Sequence, residues 1–313
     1  MVLFENFMKN LKIATRNSTL ALWQANYIKN LLTAKYNDLK CEIVPFITQG
    51  DRDKTLSLKQ MGGKGAFVKE LELALIERRA DIAVHSMKDV PAILPSELEI
   101  ASIAPRHNPR DAFISNKHRQ LSEMPDGANI GSSSMRRLRQ IGLQYPMLTF
   151  SDIRGNIETR LKKLDSGKHD GIVLAVAGIE RLGLSSRICE VLDENMCVPA
   201  TGQGAIGIEI RKDSDEIKEL VVSINDEDTF ACVSSERRVA LELDASCDLP
   251  IGIFASVSGN KFSLRVFISD SYGKKIIKES ISGSYKNIRE ITGQLLTTLK
   301  DKGSKEIIIQ KSG

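Results

Sequence analysis

The chain has 313 residues, 42% of them hydrophobic and 27% charged, with a formal net charge of +4. That length and balance describe an ordinary globular protein with room for two or three domains, and so small a charge does not imply a nucleic-acid partner. Five cysteines, odd in number and without a CxxC pair, and four histidines spaced unlike ligands argue against a disulfide framework and against a zinc site, so no metal is expected.

No run approaches the roughly 18 apolar residues of a membrane span. The opening MVLFENFMKN carries Glu5 and Lys9 and lacks the apolar core and cleavage site of a signal peptide. A soluble cytoplasmic protein with no membrane partner is therefore expected.

Residues 11–15 read as a strand, after which Ser18 or Thr19 can cap a helix whose Leu20, Trp23, Tyr27 and Leu31 recur at helical spacing. A second strand over 41–48 is followed by a loop punctuated by Gly62, Gly63 and Gly65, then by an amphipathic helix marked by Val68, Leu71 and Leu75. The apolar strand 81–86 ends by presenting Lys88 and Asp89 side by side just before Pro91. Open α/β sheets place ligands at such strand ends, although the pair taken alone reads more readily as a surface salt bridge.

From about Pro105 to Ala200 the same alternation returns, with strands at 112–115, 129–132 and 171–176 and helices at 134–145 and 156–166. A glycine-rich passage, Pro199 to Gly204, leads to a strand at 205–210 that can return to the first domain. Beyond residue 228 a helix over 233–243 and the Cys247 loop precede strands at 253–258, 262–269 and 274–281, a helix over 286–299 and a strand over 306–310. The expected domains are 1–104 with 201–225, then 105–200, both α/β, and 226–313, a small α+β domain.

Arginines gather at probable strand ends rather than on helix faces. Arg16 follows the first strand, Arg136 and Arg137 follow Gly131-Ser132-Ser133-Ser134-Met135, and Arg154 precedes Gly155-Asn156. A helix N-terminus with hydroxyls and two guanidiniums can bind carboxylates or phosphates, yet that segment alone reads as an N-cap with solvated arginines. Arg160, six residues beyond Arg154, can approach a ligand at the same helix start, but alone reads as a solvated side chain. Gly62-Gly63-Lys64-Gly65 suits an anion loop and lacks the spacing of a nucleotide P-loop. Cys247, among small and turn-forming residues, is the thiol expected to be most accessible, with no neighbouring histidine to activate it.

Taken in order, Ile13-Ala-Thr-Arg16-Asn-Ser18, Gly62 to Gly65, His85-Ser-Met-Lys88-Asp89-Val-Pro91, Gly131 to Arg137, Arg154 to Asn156, Leu174 to Gly178, Gly202 to Gly204 and the Cys247 loop resemble the porphobilinogen deaminase (hydroxymethylbilane synthase) family across essentially the whole chain. The resemblance implies two domains like the type II periplasmic binding-protein fold around a cleft, plus a C-terminal α+β domain with a three-stranded antiparallel sheet. It also implies a dipyrromethane attached through a thioether to Cys247, and head-to-tail addition of four porphobilinogen molecules with loss of ammonia. Water would then release the linear hydroxymethylbilane of porphyrin and haem biosynthesis.

By the same resemblance, Arg16, Lys88, Arg136, Arg137, Arg154, Arg160 and Arg181 would neutralise ring carboxylates. Ser18, Ser133 and Ser134 would add donors, as would Lys64, Gln24 and Gln203, and Asp89 would stabilise the cationic azafulvene. A monomer is implied, with hand-over of product to uroporphyrinogen III synthase. Ala245-Ser246 stand before Cys247 where many family members have two glycines, and Arg52-Asp53-Lys54 make the preceding loop unusually charged. The competing reading from another class is a non-catalytic two-lobed module for carboxylates or oxyanions.

Overall fold

The computed structural model describes residues 10–48, 67–245 and 249–309. The first strand, β1 (Asn10–Arg16), leads into α1 (Thr19–Lys35), which starts where Ser18 accepts a hydrogen bond from the Ala21 backbone N–H at 3.3 Å. Ala25, Ile28 and Leu32 of α1 are fully buried, and burying each of the larger two contributes about 1.5–3 kcal/mol. Next come β2 (Lys40–Phe46), α2 (Lys69–Ile76), β3 (Ile82–Ser86) and β4 (Leu98–Ile103), with Met87–Asp89 forming a 3-10 turn directly after β3.

The middle of the chain forms β5 (Asp111–Ile114), β6 (Asn129–Gly131), α3 (Met135–Gln144), β7 (Thr149–Ser151), α4 (Ile157–Asp165), β8 (Gly171–Ala175), α5 (Val176–Arg181) and β9 (Glu190–Val191). Then β10 (Ile206–Arg211) enters the first sheet, followed by α6 (Asp215–Val222) and α7 (Glu227–Glu242). The C-terminal part consists of β11 (Ile251–Ser258), β12 (Lys261–Ser269), β13 (Ile276–Ser284), α8 (Ile288–Asp301) and α9 (Ser304–Ile309).

Strand order in the first sheet is β2-β1-β3-β10-β4, with β1 parallel to β2 and β3 and with β10 antiparallel to both of its neighbours. The second sheet repeats the pattern as β7-β6-β8-β5-β9, with β5 the reversed strand between β8 and β9. The third is the antiparallel meander β11-β12-β13. This is the α/β, α/β and α+β composition expected from the residues.

Two compact units emerge: Met1–Arg106 with Ala205–Phe230, and His107–Gly204 with Ala231–Gly313. Within the first, α1 and α6 cover one sheet face through Ile28, Leu32, Ile217 and Leu220, and α2 covers the other through Leu71, Ala74 and Leu75. In the second, Glu236 of α7 is fully buried and accepts from Gly202 N at 2.6 Å and from Ala255 N at 2.8 Å. One carboxylate thereby ties the glycine-rich passage to β11.

Residues 306–310 were expected as a strand, but Ser304–Ile309 is a helix. Ile307 and Ile308 give this run the β-branched character of a strand, yet both are buried in the C-terminal core, whereas neighbours on a strand point to opposite faces. Tertiary packing overrides local propensity there. Pairing with reversed β10 and β5 likewise makes both α/β sheets mixed, where strand and helix alternation suggests parallel neighbours.

Candidate active site

In the first unit the site residues stand at the carboxyl ends of β1 and β3. Arg16 ends β1, and its guanidinium carbon lies 4.3 Å from the centre of the Phe67 ring. The Ser18 hydroxyl caps α1. Gln24 is buried and donates to Ser86 Oγ at 2.8 Å while accepting from the same hydroxyl at 3.1 Å, which pins α1 to the end of β3.

Met87 then fills the space above Gly207, where an added Cβ would meet its sulfur at 2.0 Å. Fixed in this way, the turn presents Lys88 and Asp89, both half-buried. Among the described residues no side-chain hydrogen bond or ion pair involves Asp89. The surface salt bridge suggested by the adjacent charges does not form between them.

In the second unit the centre of the charge arrangement is Asp111, a residue with no prominence in the sequence. It is fully buried at the start of β5 and receives Arg136 Nη1 on Oδ2 at 2.7 Å and Arg137 Nη2 on Oδ1 at 2.7 Å. Arg137 Nε adds a contact at 3.0 Å and Gln203 Nε2 another at 2.9 Å. Arg136 Nη1 also reaches Val198 O at 2.8 Å, and Arg137 Nη1 reaches Val173 O at 3.0 Å.

Burial by itself would raise the proton affinity of Asp111, but the two guanidiniums outweigh it and hold the carboxyl far below the usual range. The expectation of solvated arginines after Ser134 is therefore corrected. At 4% and 6% exposure, Arg136 and Arg137 form a buried cluster whose charge is one unit positive with Asp111 included. Cys197 sits against it, its Sγ 3.3 Å from Asp111 Oδ2, and burial followed by that carboxylate pushes its thiol up to about 12.

A second cationic group surrounds the start of α4. Asn156 caps the helix by accepting from Thr159 N at 2.9 Å, and Gly155 supplies the turn with φ +112°. Arg154 Nε contacts Asp152 Oδ2 at 2.5 Å, Arg160 Nε donates to Gly155 O at 2.7 Å, and the Ser133 hydroxyl donates to Ile153 O. Although burial opposes it, hydrogen bonds from Arg154 and Ser133, with the charges of Arg154 and Arg160, keep Asp152 below the ordinary carboxylate range.

Arg160, expected as a solvated side chain when read alone, is half-buried and held across its own helix start. Ser134 donates its backbone N–H to Ser132 Oγ at 3.2 Å. Arg181, 6% exposed at the end of α5, donates to Gly204 O at 2.7 Å. Lys64 and Cys247 lie outside the described residues.

The sequence reading missed Asp111, Asp152 and Glu236. Asp111 and Glu236 are single acids whose burial depends on distant partners, and Asp152 is an exposed acid that matters only through its contacts with Arg154 and Ser133, so neither spacing nor composition marks any of them. The only local hint is Asp111 standing immediately before the apolar Ala112-Phe113-Ile114.

A family model described as porphobilinogen deaminase, dipyromethane cofactor binding domain, matches residues 11–219, and one described as porphobilinogen deaminase, C-terminal domain, matches residues 230–301. Fold and match together define a transferase of tetrapyrrole biosynthesis with a dipyrromethane-binding domain. The chain belongs to the porphobilinogen deaminase family.

Among solved structures, a putative methionine-binding lipoprotein from Bacillus subtilis is 13% identical, with 68% of this chain and 90% of that one covered and a TM-score of 0.42. A nutrient-binding protein from Burkholderia cenocepacia bound to methionine is also 13% identical, with 70% and 93% covered and a TM-score of 0.43. No ligand is carried over from either. Among the described residues no helix is long and apolar enough to cross a membrane, and no group of His, Cys, Asp and Glu could hold a metal ion.

Proposed function

We propose that the protein adds four porphobilinogen molecules head to tail onto a dipyrromethane held through a thioether at Cys247, releasing ammonia at each addition and finally hydroxymethylbilane. Within the family, the observation that carries this reading is Asp89. A half-buried carboxylate without an ion partner among the described residues, held beside a lysine at the end of a buried strand, supports a role in chemistry over one in stability.

The donor set fits the group. Each pyrrole carries an acetate and a propionate, and this chain presents Arg16 and Lys88 in one unit and Arg154 and Arg160 in the other as carboxylate partners. Among the described residues Arg136 engages its internal partners through Nη1, which leaves its other donors for a ligand, whereas Arg137 is committed to Asp111 and Val173 and supports Arg136. Ser133 and Ser134 add donors at the start of α3. Ser18, Gln24, Arg181 and Gln203 have internal bonds that shape these positions. When bound, dipyrromethane supplies a primer that stays with the enzyme as product leaves.

Asp89 acts on the incoming substrate. As the aminomethyl C–N bond breaks, ammonia departs with the bonding pair and the ring becomes a cationic azafulvene. The carboxylate accepts the pyrrole N–H hydrogen bond and stabilises the developing positive charge. Carbon–carbon bond formation then leaves one proton on the attacking ring carbon, and Asp89 is the base within this turn to take it. We assign the protein to the cytoplasm as a monomer whose product passes to uroporphyrinogen III synthase.

Intact-protein mass tests the reading. An added mass equal to a dipyrromethane should map to Cys247 and vanish in Cys247→Ser together with ammonia release from porphobilinogen; an unmodified, fully active protein overturns it.

A further inference from the structure

Arg16 closes β1, and Asp89 follows the end of the neighbouring strand β3. β1 stays in register with β2 to its last residue, Arg16 opposite Phe46, whereas among the described residues its pairing with β3 is confined to Ile13–Ile82 and Ala14–Ala83. Past those pairs no ladder joins the two strand ends that carry the site. What spans them is the start of α1.

Each strand end is tied to that helix by a side chain. On the β1 side, the buried Thr15 hydroxyl donates to Ala21 O at 3.1 Å. On the β3 side, the Gln24 amide, 3% exposed, meets the Ser86 hydroxyl with both of its polar atoms, at 2.8 and 3.1 Å. Ser86 opens the 3-10 turn Met87–Asp89, a position where a serine hydroxyl ordinarily accepts a backbone N–H of the turn. It makes no such cap here, and its hydroxyl goes to Gln24 instead.

We propose that Gln24 and Ser86 are positioning residues whose hydrogen-bonded pair makes α1 a brace that sets how far Asp89 stands from Arg16. The brace places the reacting carboxylate against a substrate whose ring carboxylate Arg16 holds. The inference rests on the reading of Asp89 as the reacting carboxylate, and it gives Gln24 a role other than the direct donor to substrate that the resemblance implies. The turn transmits the position: Met87 N donates to Ala205 O at 3.1 Å, the Met87 sulfur fills the space above Gly207, and Val90 N closes onto Met87 O at 3.2 Å. Misplacement by about 1 Å from a change far from the chemistry can cost about 100-fold in rate. Neither Gln24 nor Ser86 touches substrate, so the loss falls on kcat rather than on KM.

The test is kcat and KM for ammonia release from porphobilinogen in wild type, Gln24→Met, Ser86→Ala and the double variant, with rates expressed per protein carrying the dipyrromethane mass. Each single variant should lose about 10-fold or more in kcat with KM within about twofold of wild type. The double variant should be no slower than the slower single one, because either change removes the same pair. Ser86→Thr, which keeps the hydroxyl, should recover kcat relative to Ser86→Ala. In an Asp89→Asn background Gln24→Met should cost nothing further, whereas a general loosening of the fold would act equally in both backgrounds.

A folded Gln24→Met with wild-type kcat, a loss confined to KM, costs of the two single variants that add in the double one, or an equal cost of Gln24→Met in the Asp89→Asn background overturns the proposal. Should Gln24→Met fail to fold, Ser86→Ala and Ser86→Thr at their half-buried position still decide. Near-normal turnover in Asp89→Asn would instead remove the reading of Asp89, a result seen with Gln24 and Ser86 both intact.

Discussion

Arg137 places both Nε and Nη2 on a single oxygen of Asp111, at 3.0 and 2.7 Å, while Arg136 takes the other oxygen. The contact decides what kind of residues these arginines are. A pair of cations this deeply buried persists only because a carboxylate stands between them, so part of their role is to hold β5, β8 and α3 together.

Replacing Asp111 with Ala leaves two guanidiniums uncompensated in the interior. The variant should lose about 3–5 kcal/mol, read as a fall in the denaturant midpoint. The pH dependence carries the same signature. Because the folded-state carboxyl is held below its ordinary 3.8, its contribution is present above that value and is lost as pH falls toward the folded pKa. An acid limb of unfolding unchanged in Asp111→Ala would contradict this account.

Asp89→Asn removes a carboxylate that supports nothing else among the described residues. Unfolding should stay within about 0.5 kcal/mol of wild type, while porphobilinogen-dependent ammonia release should fall about 100-fold or more. A folded variant with near-normal release would take Asp89 out of the chemistry.

Glu72 predicts a pH effect of opposite sign to Asp111. Its carboxyl holds its proton to about 7 in the folded protein against 4.5 in the unfolded chain, so folding stability declines as pH rises between those values. Glu72→Gln should flatten that decline and stabilise the protein above pH 7 by about 1–3 kcal/mol, the lower figure allowing for partial solvent screening, with little change below pH 4.5. Equal slopes in thermal melts across that window would refute it.

Gly204 adopts φ +87°, and a Cβ there would lie 2.4 Å from the His107 carbonyl oxygen. Gly204→Ala should therefore cost about 2 kcal/mol or more. Gly127, at φ +78° with nothing within 4 Å of an added Cβ, isolates the purely conformational part, and Gly127→Ala should cost only about 1 kcal/mol. Similar costs at both positions would mean that the close approach at Gly204 is not felt.

What this sequence determines alone is whatever depends on neighbours along the chain. Helical spacing of apolar residues locates α1 and α2, Ser18 and Asn156 mark helix starts, and apolar runs ending in charged residues mark β1 and β3, so the ends that carry Arg16, Lys88 and Asp89 are legible from the residues. The ordered motifs carry the family. Burial and pairing across the fold are not legible in this way. Asp111 looks like any aspartate before a strand until Arg136, Arg137 and Gln203, which are 25, 26 and 92 residues away, close on it. His85 meets Glu209 across 124 residues, and Ile307 with Ile308 yields a strand-like sequence to a helix because both side chains must reach one core. Desolvation and charge pairing are properties of the assembled interior, so only the tertiary structure decides which of these charged residues are held inside and which are left for a ligand.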